Sequence, residues 1–151
     1  MKMTKRMVLK NQFLASVADM LSEGKKVRIR IDGESMYPFI RGGKDEVELI
    51  PYTVSRPLQL GECIFYEWKG QYMIHRYIGR KEDKYLMMGD GNLVQIEEVS
   101  PHAIKGILGT IFKANGKIQD CSDEIWIKKG LLWYRMRKLR RFILPILKRI
   151  R

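Results

Sequence analysis

With 151 residues, 45% of them apolar, the chain is long enough to bury one real core and too apolar for a disordered segment. Its formal charge of +12 suggests nucleic acid or membrane until it is located: residues 128–151 hold ten Lys or Arg and no acid, leaving nineteen cations against seventeen acids, a net of +2, on residues 1–127. Two cysteines and two histidines, widely separated, are too few for a structural zinc site, so neither metal nor cofactor is expected; Cys63 and Cys121 read as free thiols of a reducing compartment, with a single disulfide as the alternative.

Met1 to Arg6 is basic like the start of a signal peptide, but Lys10, Asn11, Gln12 and Asp19 interrupt the next stretch and no small-residue cleavage site closes it. The longest uninterrupted apolar runs are six residues, such as Phe142 to Leu147, so no transmembrane span is predicted and a cytoplasmic location is expected. Leu9, Phe13, Val17, Met20 and Leu21 recur at helical spacing, and Gly24 is a natural stop, which predicts one amphipathic helix over 8–22.

Strand patterns then dominate. Val27 to Ile31 alternates strictly, and Val47 to Ile50, Cys63 to Trp68, Tyr72 to Ile78, Tyr85 to Met88 and Ile104 to Phe112 come after it, with turn residues between them. Lys69-Gly70-Gln71 reads as a hairpin connection, residues 51–61 as a longer loop, and Ala114-Asn115-Gly116-Lys117 as a tight turn leading to Ile118-Gln119 and a last strand at Ile125-Trp126-Ile127. The predicted fold is mainly β, a curved or partly closed set of sheets over 1–127, followed by a basic tail over 128–151. In that tail Leu132, Met136, Leu139, Ile143, Leu147 and Ile150 step by three and four with cations mostly on the other side, and Pro145 interrupts. Two readings compete: a helix lying in the plane of an anionic membrane surface through residues 129–151, and a helix docked on the core with a solvated basic face. No groove-reading or stacking motif accompanies the charge, so no nucleic-acid partner is expected.

Chemistry concentrates in three places. Gly33-Glu34-Ser35-Met36-Tyr37-Pro38 puts a serine where a strand gives way to a turn stiffened by proline. In Tyr72 to Ile78, strand alternation places Met73, His75 and Tyr77 on one face and Tyr72, Ile74, Arg76 and Ile78 on the other. A strand histidine is commonly structural, yet it is also the side chain best suited to take a proton from a serine and return it to a leaving amine. Gly89-Asp90-Gly91-Asn92 reads as a β-turn.

These three blocks, in this order over 27–112, resemble the type I signal peptidase and LexA-like superfamily of serine peptidases, in the variant whose base is histidine followed by arginine, as in Ile74-His75-Arg76-Tyr77-Ile78. The resemblance implies a signal-peptidase-like β domain and a serine endopeptidase with Ser35 as nucleophile and His75 as general base. It also implies Asp90 as the first candidate for the orienting acid, Glu97 as the runner-up, and Met36 and Pro38 beside the substrate. Arg76 is then structural. The family's hydroxyl residue two positions before the serine is here Gly33, and the aspartates it places after the Gly-Asp block are replaced by Gln95, Ile96, Glu97 and Glu98. The expected partner is a peptide or protein substrate. Alternatives are an inactive relative that binds a peptide as an added β-strand, and a LexA-like self-cleaving regulator lacking its DNA-binding domain.

Overall fold

The structure, a computed structural model, describes residues 5–150. Helix α1 (Lys5–Ser22) begins three residues before the predicted start and buries Val17, Ala18 and Leu21 against the sheet, while Leu9 and Phe13, nearer its beginning, stay exposed. The alternating runs become β1 (Val27–Arg30), β2 (Glu46–Pro51), β3 (Cys63–Trp68), β4 (Gln71–Lys81), β5 (Lys84–Met88), β6 (Glu97–Val99), β7 (Ile104–Phe112) and β8 (Ile118–Asp120). All pairings are antiparallel in the order β1-β2-β7-β3-β4-β5-β6, with β8 paired to β7 off that path. Register shifts at Glu48/Leu49, Phe65/Tyr66 and Tyr77/Gly79 bend the strands, and the sheet curls into a half-barrel with β1 and β6 as its free edges.

Strand β3 shows how the curl makes two apolar interiors from one sheet. Cys63 and Phe65 face a cluster with α1, β1, β2 and Trp126, whereas Ile64 and Tyr66 face a second one inside the curl with Tyr77, Met87, Val99 and Ile107. Both cysteines are free and buried. The faces of β4 are as predicted: Tyr72 and Ile74 pack on the first cluster, Met73 and Tyr77 on the second.

The C-terminal part departs from expectation. Ile125-Trp126-Ile127 is the first turn of helix α2 (Glu124–Arg135), not a strand, because Asp123 caps it, its carboxylate accepting from the Ile125 N–H at 3.0 Å. An apolar triplet alone does not distinguish the two states; the spacing to Gly130 and Trp133, also buried, does. The boundary at 127/128 therefore falls inside a helix. A 3₁₀ turn (Arg137–Leu139) shifts the phase before α3 (Arg140–Ile150), which contains Pro145. The buried line is consequently Trp126, Ile127, Gly130, Trp133, Arg140 and Leu144, and Leu132, Leu139 and Ile150 of the predicted stripe are exposed. Among the described residues no helix is long and apolar enough to cross a membrane.

Candidate active site

Between β1 and β2 the chain makes a loop pinched at its base by Ile31 N–H to Asp45 O (3.2 Å) and Gly43 N–H to Ile31 O (2.7 Å). Asp45 is buried and ties the loop to the β7–β8 turn, accepting from the Arg41 and Ala114 amides at 2.8 and 3.0 Å, while Lys113 Nζ donates to the Phe39 carbonyl. Met36 and Ile40 anchor the loop in the first cluster, and Tyr37, joined to Pro38 by a cis peptide bond, packs with Trp133 and Leu144. Ser35 is left exposed at the turn.

The Gly89–Asn92 turn lies directly against this loop. Gly91 N–H donates to the Ser35 carbonyl at 2.8 Å, and a Cβ at Gly91 would fall 2.2 Å from the Glu34 oxygen. A Cβ at Gly89 would stand 2.5 Å from the Ser35 carbonyl oxygen and 3.0 Å from Nε2 of His75. Glycine at both positions lets the serine loop and the histidine strand meet across one turn. That turn is gripped from behind by the C-terminal segment, since Trp133 Nε1 donates to Asp90 O at 2.7 Å and Arg140 Nη1 to Gly89 O and Asn92 O at 3.0 and 2.8 Å.

His75 is buried, with Nδ1 2.5 Å from Oε1 of Glu97. Tyr66 O–H donates to the same oxygen at 2.6 Å and Gln95 Nε2 to the other at 2.8 Å. Burial alone would raise the Glu97 carboxyl, but the hydrogen bond and charge of His75, with the bonds from Tyr66 and Gln95, outweigh it and hold Glu97 below the usual carboxylate range. A carboxylate at Nδ1 fixes the proton there, leaving Nε2 as the nitrogen that can accept one. Burial, and next the neighbouring Glu97 charge, push the Tyr66 phenol far up, so it remains a donor.

The acid facing the ring is thus Glu97, not Asp90. Asp90 belongs to a different buried pair, accepting from Arg76 Nε at 2.9 Å and Nη2 at 2.7 Å, with Arg76 Nη1 on the Gly61 carbonyl at 2.7 Å. The Arg76 guanidinium lies 4.8 Å from the Phe39 ring centroid and 4.7 Å from that of Trp126, and α2 passes over it at Gly130, where a Cβ would come within 2.1 Å of Nη1. Alternation on β4 is the reason: consecutive residues face opposite sides, so the acid that serves Arg76 cannot serve His75. Glu97 reaches the ring because Glu97, Met87 and Tyr77 align across β6, β5 and β4, and Tyr77 lies two residues along β4 from His75, on the same face.

A groove of about 590 Å³ runs between α1, β1 and β4, and Ser35, Met36, His75, Asn92 and Leu93 line it together. Pro38, expected beside the substrate, is not among its lining residues. Gly33 has φ 78°, a left-handed conformation that accounts for glycine where the resembled family carries a hydroxyl residue. Tyr66, Gln95, Asp45 and Arg140 were not singled out from sequence. Tyr66 was within reach, since the Lys69-Gly70 turn sets Trp68 opposite Gln71 and hence Tyr66 diagonal to His75. No family model matches this chain, and no curated protein matches it in sequence.

Proposed function

We propose that the protein is a serine endopeptidase of the signal-peptidase-like type. The observation that carries this reading is the buried His75–Glu97 pair, whose remaining ring nitrogen and an exposed serine border the same groove. The curled antiparallel sheet with the serine loop after its first strand is consistent with the fold that the resemblance implies. In the proposed reaction a peptide lies in the groove and the Ser35 hydroxyl attacks its carbonyl carbon while His75 Nε2 takes the hydroxyl proton. The Ser35 N–H donates to the oxyanion, and His75 returns the proton to the departing amine. Water then cleaves the acyl-enzyme by the same proton path in reverse. Glu97 stabilises the imidazolium in both steps, and Tyr66 and Gln95 keep that carboxylate in place.

A second reading, an inactive peptide-binding module, is favoured by two features: no hydrogen bond joins the Ser35 hydroxyl to His75 among the described residues, and β1, which borders the groove, is a free edge able to accept an added strand. One experiment separates the two. Wild type, Ser35→Ala and His75→Ala are incubated with a peptide library and the products read by mass spectrometry. The peptidase reading predicts new termini from wild type alone; identical product patterns from all three leave the binding module.

A further inference from the structure

We infer that the outward side of α3, with the neighbouring 93–96 loop, docks onto an anionic lipid bilayer. The helix carries more apolar surface than the domain covers. Its inner side, Arg140 and Leu144 with half-buried Ile143 and Leu147, faces the serine loop and Trp133. Phe142, Ile146 and Ile150, at steps of four on another side, are 64, 60 and 76% exposed, and Leu139 precedes them on the same line. Large apolar side chains repeated along a free helix face mark an interaction surface. Eleven residues rise only about 16 Å, too short to cross a bilayer and suited to lying in its plane.

Charge identifies the occupant. No Asp or Glu follows Glu124, and Lys138, Arg141, Lys148 and Arg149 stand exposed around the apolar line. Arg137, Lys138 and Arg141 also border a depression of about 240 Å³ whose other walls are Met88, Leu93, Val94 and Ile96, with Val94 82% exposed. Cations beside protruding apolar side chains fit phosphate headgroups over acyl chains. Nucleic acid would leave the apolar line unused, and a second copy would bring like charges together. Leu93 lines both this depression and the catalytic groove, so the bilayer would lie at the groove's mouth and favour peptide substrates close to the membrane surface; that last step alone rests on the peptidase reading.

The test is flotation of the full chain with vesicles of phosphatidylcholine alone and with about 30 mol% phosphatidylglycerol. Wild type and Ser35→Ala are expected to float equally with the anionic vesicles and to remain behind with the neutral ones, whatever the peptidase assay gives. Lys138→Gln/Arg141→Gln should lower partitioning about fivefold per charge, roughly thirtyfold for the pair. Phe142→Ser/Ile146→Ser should lower it by at least about tenfold with an unchanged thermal melt, because both side chains are exposed. Failure of wild type to float, equal recovery with neutral vesicles, or wild-type flotation of the apolar variant would overturn the inference. So would a lipid-free dimer in sedimentation velocity that the apolar variant abolishes, which would make this face a contact between copies.

Discussion

Replacing Asp90 with Asn separates the two buried acids of the site by what each loss does. Both carboxylate oxygens of Asp90 accept from an Arg76 guanidinium that is fully buried against the Phe39 and Trp126 rings, with one further acceptor, the Gly61 carbonyl. Burial lowers the affinity of that guanidinium for its proton, but the Asp90 charge more than compensates, and Arg76 stays cationic. Asn leaves the cation in place, removes its counter-charge and turns an amide N–H₂ toward a donor. Breaking such a pair costs about 3–5 kcal/mol, which at about 2 kcal/mol/M moves a urea midpoint down by roughly 2 M. The assay is urea unfolding by tryptophan fluorescence, Trp126 and Trp133 both lying near the pair, with turnover measured on the folded fraction. Restoring an apolar match with Arg76→Met/Asp90→Leu should recover part of the loss, since the cost is that of an uncompensated charge. A midpoint within about 0.3 M of wild type, together with abolished turnover, would refute this assignment and return Asp90 to the role of catalytic acid.

Glu97→Gln should behave in the opposite way, lowering kcat by about 10² to 10⁴ while the peptide KM changes little, because the ring loses the carboxylate that stabilises its charged form. Since the Glu97 carboxyl is held below its unfolded value, its contribution to stability is complete above about pH 5 and is lost as pH falls through the lower folded value, so the urea-midpoint gap between wild type and Glu97→Gln should narrow toward pH 3. A gap that widens on acidification contradicts the sign. Gly89→Ala forces a methyl group into the space between the Ser35 carbonyl and the His75 ring, and should reduce turnover more than it reduces stability; an active, unaltered enzyme would show that the turn is not a close contact. Burial pushes the Cys63 thiol up to about 12 and raises that of Cys121 as well, so neither should react with a disulfide reagent at pH 8 until urea unfolds the chain. Rapid labelling of the native protein would contradict their burial.

Most strands were legible because alternation and turn residues agree: Cys63 to Trp68 and Ile104 to Phe112 match the predicted bounds, and Lys69-Gly70 joins β3 to β4 as expected. Strand β6 was not, being three residues of which two are glutamates, apolar only at Val99. For that reason residue type points to Asp90, although Glu97 is the carboxylate that faces the ring. Glu97 gained its place through pairing across two strands, a non-local relation that residue type does not reveal, whereas Asp90 stood in a conspicuous turn. Spacing alone does not phase the tail: Leu132 of α2 is already exposed before the 3₁₀ turn, while Ile143 and Leu147 beyond it are half-buried. Arg140 is not legible from residue type because ten cations in one segment look alike, and only the fold selects the one whose guanidinium is buried against the Gly89 and Asn92 carbonyls.

The hydrolytic account rests on Ser35 and His75 acting as one unit. Its most direct measurement is kcat/KM for wild type, Ser35→Ala and His75→Ala on the peptide that wild type cleaves best. Each substitution should lower the value by at least about 10³-fold, and the Ser35→Ala/His75→Ala double variant should lose little more than either alone. Turnover by Ser35→Ala within tenfold of wild type would contradict the account.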